Sequence, residues 1–202
     1  MRVPSPESLD VSRETFERLE IFVALLRKWS PRINLVSNST LEDAWDRHIR
    51  DSLQVLRAAG NQSGTWVDLG TGGGFPGLVV ALCQPQDTHL TLIESDTRKA
   101  TFLRTVLRET KTEAQVIAKR IEQAPAQDAD IVSARALAPL PELLDLALCH
   151  LKPSGTALLP KGITWKNEIA AAQKSFSFQW ESITSESQNG AVILRIGDIY
   201  RV

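Results

Sequence analysis

Asp68 is followed within nine positions by five glycines, in the run Asp68-Leu69-Gly70-Thr71-Gly72-Gly73-Gly74-Phe75-Pro76-Gly77. Backbone without side chains is needed where a chain turns tightly or lets a ligand approach closely. Taken alone, Gly72, Gly74 and Gly77 match the G-x-G-x-x-G pattern of dinucleotide sites. A dinucleotide-dependent oxidoreductase, or a noncatalytic nucleotide-binding module, is therefore one reading. Three features point to a ligand without phosphates. The Asp68 carboxylate repels phosphate and suits a cationic centre. No Walker lysine follows Gly77, where the chain reads Leu78-Val79. Phe75 and Pro76 place a ring and a residue lacking an N–H where phosphate cradles use donors. Glu94 closes the next apolar run, His89 to Glu94, and an acid there accepts both hydroxyls of a ribose; a merely local role beside the cap residues Ser95 and Asp96 is the plainer alternative. An adenosine derivative with a free ribose and a cationic centre satisfies both acids, and S-adenosyl-L-methionine has that chemistry.

These residues need a particular scaffold. Residues 12–28 carry Phe16, Leu19, Val23 and Leu26 at helical spacing, with Ser12 as N-cap and Pro31 as the stop. A second helix is expected from a Ser39/Glu42 capping box, through Ile49, Leu53 and Leu56, to Gly60. Residues 1–60 thus read as a helical leader packed on the core, and residues 61–202 as one compact domain. In the latter, TWVDL, HLTLIE, AQVIA, DIVSA and TALLP alternate with helical stretches at 76–84, 96–110, 139–151 and 164–175. That is the βαβ rhythm of a Rossmann-like α/β fold, a mostly parallel sheet with helices on both faces. The segments FSFQWESIT and AVILRIG flank Asn189-Gly190, so the sheet is predicted to end in an antiparallel hairpin. The glycines then fall between the first strand and its helix, where such folds bind nucleotides.

Composition narrows the partners. No run of about 18 apolar residues and no signal-like start is present, which predicts a soluble, cytoplasmic protein without a membrane partner. The net charge of -1 gives no global field for nucleic acid, so any such partner must be held by a local patch. Cys83 and Cys149 lack metal-ligand spacing and are expected to be reduced core residues.

The run from Asp68 to Gly77, with RHIRDS at 47–52, Asn34-Leu35, RKATFLR at 98–104, KRIE at 119–122, DIVSARA at 130–136 and PKG at 160–162, resembles the 16S ribosomal RNA guanine-N7 methyltransferase G family, formerly called glucose-inhibited division protein B. The resemblance runs from about Trp29 to the terminal hairpin. It implies a class I S-adenosylmethionine-dependent methyltransferase sheet of seven strands, and a cofactor touched by Gly70, Phe75, Ile121, Glu122 and Arg135 besides Asp68, Gly72 and Glu94. It also makes His48, Asp51 and Ser52 a wall of the site. A small-molecule methyltransferase is the alternative activity.

After the fourth strand the chain offers Ser133 and Arg135, which are donors, where exocyclic-amine methylation calls for acceptors. Guanine N7 carries a lone pair and loses no proton, so no acid or base is expected; Arg135, Ser133 and His48 would only position the reactants. Arg135 can meet guanine N7 and O6 or the cofactor carboxylate, and both roles remain open at this point. Arg27, Lys28, Arg32, Arg47, Arg50, Arg98, Lys99, Arg104, Lys161 and Lys166 form a candidate phosphate-binding rim, with Arg47, Arg50, Arg98 and Lys161 as the leading RNA contacts. The implied partner is 16S rRNA or the small ribosomal subunit, met by a monomer. His89 and His150 are expected to carry no chemistry.

Overall fold

The computed structural model describes residues 3–83 and 87–202. Helix α1 (Pro6–Leu9) precedes α2 (Arg13–Ile33). Ser12 caps α2 as expected, its hydroxyl accepting from Thr15 N at 3.1 Å. Phe16, Leu19, Phe22, Val23 and Leu26 form the buried stripe. Pro31 does not stop the helix. It sits in the last turn, where only two helical residues follow the lost donor, and Asn34 ends the run in the left-handed region by donating to the Ser30 carbonyl at 2.9 Å.

The expected second helix is split. Ser37, not Ser39, caps a short helix α3 (Asn38–Leu41), because Ser37 has the extended backbone of a cap and accepts from Thr40 N. A π-helical turn (Trp45–Ile49) then leads into α4 (Arg50–Ala58), and Gly60 follows at φ 62°.

Seven strands form one sheet: β1 (Gly64–Leu69), β2 (Thr88–Ile93), β3 (Gln115–Ile117), β4 (Ala129–Ser133), β5 (Leu151–Lys161), β6 (Phe176–Thr184) and β7 (Val192–Arg201). Their order is β3-β2-β1-β4-β5-β7-β6. β1 to β5 pair in parallel, and β7 runs antiparallel between β5 and β6. The predicted mostly parallel sheet with a terminal antiparallel hairpin is thus what the chain forms. Helices α5 (Gly77–Cys83), α6 (Thr97–Glu109), α7 (Leu140–Leu148) and α8 (Trp165–Ala172) complete the fold. α7 ends before the predicted 151, because Lys152-Pro153 demands extended backbone and Leu151 already opens β5.

The alternation of β1 sorts the core. Trp66 faces the cluster built with α2, α4, α5 and α6, while Val67 and Leu69 face the one built with α7 and α8. The leader is therefore one wall of the hydrophobic core. It is also stitched to the far end of the chain: Gln54 donates to Thr184 O at 2.6 Å and accepts from Glu186 N at 3.0 Å, and Arg57 pairs with Glu186 at 2.8 Å. Cys83 is half-buried and Cys149 is exposed, which corrects the expectation of two core thiols; Cys149 follows the last turn of α7 on its outer side.

Candidate active site

The loops that leave the C-terminal ends of β1 to β5 meet at the point where the strand order reverses, between β1 and β4. Ligands bind at that place in open α/β sheets. Two cavities adjoin there, one of about 500 Å³ and one of about 680 Å³, with Arg135, Ala136 and Ala138 common to both walls.

Gly70, Gly72, Phe75, Glu94, Ile121 and Glu122 line the smaller cavity together with Arg135. Gly70 and Gly72 both adopt left-handed backbone, at φ 61° and 57°. A β-carbon at Gly72 would meet nothing nearer than the Gly70 carbonyl oxygen at 3.7 Å, so the bare loop faces open space. Its N–H is already donated to Glu94 Oε2 at 2.8 Å, and Glu94 Oε1 accepts from Asp96 N at 2.7 Å. The donor a pyrophosphate would need is thus engaged by a carboxylate, which disfavours a dinucleotide. Each Glu94 oxygen keeps a second lone pair. Capping of α6 falls to Asp96, which accepts from Arg98 N at 2.8 Å. Ile121 and Glu122 lie on a 3₁₀ turn whose Ile121 carbonyl oxygen is 3.0 Å from Nε2 of the buried His150, so this histidine supports the cavity wall. The size, the glycine floor and the free carboxylate lone pairs fit an adenosine derivative without phosphates.

Two of the predicted residues lie beneath this cavity rather than on it. Trp66 Nε1 donates to Ser133 Oγ at 2.9 Å, and Ser133 donates to Asp68 Oδ1 at 2.6 Å. Asp68 is completely buried because the strand alternation turns it under α5, where Gly77 admits it: a β-carbon there would fall 2.4 Å from Asp68 Cβ. Burial pushes the Asp68 carboxyl up to about 6, against the opposing hydrogen bond from Ser133. A carboxyl raised in the fold binds more protons folded than unfolded, so its contribution is present below about pH 4 and lost as pH rises through about 6. Unfolding free energies of the wild-type and Asp68→Asn chains in urea should accordingly diverge by roughly 2–3 kcal/mol between pH 4 and pH 7. A constant difference across that range would show that Asp68 is not raised.

The larger cavity is walled by the leader, by β5 with the start of α8, and by the hairpin loop. His48 and Asp51 come from the leader, Lys161 and Glu168 from the second group, and Ser185 and Gln188 from the loop. The His48 ring stacks on Phe75 with centroids 4.7 Å apart, and neither ring nitrogen has a hydrogen-bond partner among the described residues. Burial, with the nearby charges of Arg135 and Arg47, pushes its pKa down to about 3. Ser52 closes the turn by donating to the His48 carbonyl at 2.7 Å.

Arg135 joins the two spaces. Its guanidinium lies 4.9 Å from the centroid of Phe75 and donates to the Arg47 carbonyl at 3.4 Å. Burial pulls its pKa below the usual arginine value, and Asp51 and Asp68 act against that shift. Ala136 follows at φ 52°, a strained backbone for a residue with a β-carbon, of the sort found at ligand clamps.

The proposed RNA contacts separate. Arg47 is exposed on the wall of the larger cavity. Arg50 instead pairs with Asp46 at 2.8 Å and donates to the Ser8 carbonyl at 3.0 Å, which turns it to α1. Arg98 is exposed but pairs with Asp96 at 2.8 Å, outside both linings. The Lys161 side chain is only 8% exposed, its ammonium held by Glu168 Oε2 at 2.8 Å and the Ala138 carbonyl at 2.9 Å, so it is not an open phosphate contact. The contributions of Gln54 and of the loop between β6 and β7 were invisible to sequence reasoning, since their partners lie more than a hundred positions apart.

Residues 15–191 match the family model described as rRNA small subunit methyltransferase G. A curated relative from Ruegeria pomeroyi named Ribosomal RNA small subunit methyltransferase G is 51% identical over the whole of both chains. Another of that name from Rhodospirillum centenum is 47% identical, over 98% of this chain and 94% of its own. Among solved structures, a SAM dependent methyltransferase from Aquifex aeolicus is similar at TM-score 0.59 and 13% identity, covering 76% of this chain and 92% of that one. A ribosomal protein L11 methylase from Lactobacillus delbrueckii is similar at TM-score 0.58 and 16% identity, covering 73% and 76%. At such identities the structures speak for the fold alone.

Proposed function

The chain belongs to the rRNA small subunit methyltransferase G family, and from that premise we propose that it methylates N7 of a guanine in 16S rRNA, using S-adenosyl-L-methionine, by in-line displacement. The observation that carries the reading is the pair of cavities meeting at Arg135, where the C-terminal strand ends converge. The one histidine of the larger cavity is held neutral.

Gly70, Gly72, Phe75, Glu94, Ile121, Glu122 and Arg135 would hold the cofactor in the smaller cavity, with Asp68 supporting the floor from beneath as a buried negative charge. The cofactor, when bound, supplies an electrophilic methyl group on a sulfonium. What the chain must do is align and exclude water, because guanine N7 attacks with a lone pair and releases no proton. Arg135 and Phe75 sit where the two ligands meet, and His48 stiffens Phe75 by stacking. Arg47, at the mouth, is the cation placed to meet a phosphate. The substrate is then the small ribosomal subunit or its RNA, met by a monomer in the cytoplasm.

Single-turnover transfer of a labelled methyl group to small-subunit RNA, with mass analysis of the modified nucleoside, tests the reading. 7-Methylguanosine is the expected product. The rate should be flat from about pH 7 to 8.5. Any decline below pH 7 should belong to the buried carboxylates and persist in His48→Gln. A titration near pH 6.5 that disappears in His48→Gln would mean that the histidine is a base and that the methylated atom is a different one.

A further inference from the structure

We propose that Asp51 is the residue that selects guanine, its carboxylate accepting the N1–H and 2-amino hydrogens of the target base in the larger cavity. The inference rests on the guanine reading above and supplies the group that recognises the base.

Two carboxylates line this cavity, Asp51 and Glu168. Glu168 is engaged, by Lys161 at 2.8 Å, by Leu140 N at 3.0 Å and by the Thr164 hydroxyl. The amide of Gln54 is engaged in both directions by the hairpin. Asp51 differs. The Ser187 hydroxyl donates to its Oδ1, and Oδ2 accepts no hydrogen bond from the described residues. Burial raises the Asp51 carboxyl above its ordinary range, a shift that two N–H donors would oppose. Of the two carboxylates in this lining, Asp51 is therefore the one with an oxygen left to accept from a ligand. Guanine offers two adjacent donors on its Watson–Crick edge, N1–H and the 2-amino group. Adenine presents a lone pair at N1, which a carboxylate repels.

Placement agrees with the chemistry. N7 lies on the edge of the purine remote from N1 and the 2-amino group. Asp51 lines the larger cavity and not the smaller, whereas Arg135 lines both. A base gripped by Asp51 thus turns its N7 edge away from that carboxylate. The grip is fixed, because the loop that carries Ser187 is itself tied to α4 through Gln54 and the Arg57–Glu186 pair. Access to that edge requires an unpaired guanine.

The first test uses the wild-type chain. Small-subunit RNA is assembled with guanine, hypoxanthine or 2-aminopurine at the nucleotide it methylates. Hypoxanthine lacks only the 2-amino group, and 2-aminopurine lacks both N1–H and O6, while both keep N7. We expect kcat/KM to fall about 10- to 100-fold with hypoxanthine and further with 2-aminopurine. Asp51→Asn, which offers a donor in place of one acceptor, should lose about 100-fold on guanine and treat guanine and hypoxanthine alike. Its cofactor affinity should match the wild type. Equal wild-type rates on guanine and hypoxanthine, or an undiminished preference in Asp51→Asn, would overturn the assignment and leave the parent reading standing. If the wild-type chain methylates no guanine in this RNA, the parent reading fails, and Asp51 loses its role with it.

Discussion

A Gly72→Val chain is expected to fold and to bind S-adenosylmethionine at least about 100-fold more weakly, below detection by calorimetry. The reasons are separable. Space for the β-carbon exists, since its nearest neighbour would be 3.7 Å away, but the two methyl groups beyond it enter the cavity that the ligand needs. The left-handed backbone at φ 57° also resists a β-branched residue, and relaxing it moves the N–H that anchors Glu94. Gly72→Ala should show an intermediate loss. Gly73→Ala is the contrasting substitution: its β-carbon would sit 2.9 Å from the Leu35 carbonyl oxygen, so its damage should appear in the urea midpoint. A folded Gly72→Val chain that binds the cofactor within threefold of the wild type would remove the ligand from this loop.

Lys161→Glu is expected to unfold more easily by about 3–5 kcal/mol, because it sets a second acid against Glu168 in a place where the original side chain is 8% exposed. The lost donor to the Ala138 carbonyl adds to the damage at the wall shared by both cavities. Adding Glu168→Gln to the same chain should restore a large part of the stability. Urea denaturation of the two variants measures both effects. Unchanged stability with weakened RNA binding would instead return Lys161 to the role of a phosphate contact.

The contrast between these residues explains what the sequence could tell. Gly72, Glu94 and Ser12 act through local geometry: a missing side chain, a strand end, a cap three residues from its donor. Such features are written in spacing. The strands were legible for the same reason, as apolar runs bounded by turn residues. Lys161 and Asp68 depend on which way a strand faces and on what packs over it. Lys161 turns inward to a glutamate seven residues on, and Asp68 is covered by a helix that only a glycine lets approach. Pro31 and Ser39 were misread where a long helix tolerated one lost donor and an earlier serine made the better cap.

The latch between α4 and the hairpin loop has a consequence for the chain as it is made. The smaller cavity is lined by residues from Leu35 to Leu146, whereas the larger needs Ser185 to Ile193. A growing polypeptide therefore has the whole lining of the smaller cavity, the proposed cofactor site, before the last wall of the larger one has been made. Only when the last strand emerges and the loop catches Asp51, Gln54 and Arg57 is the larger cavity complete, so the proposed base pocket is the last part of the site to close.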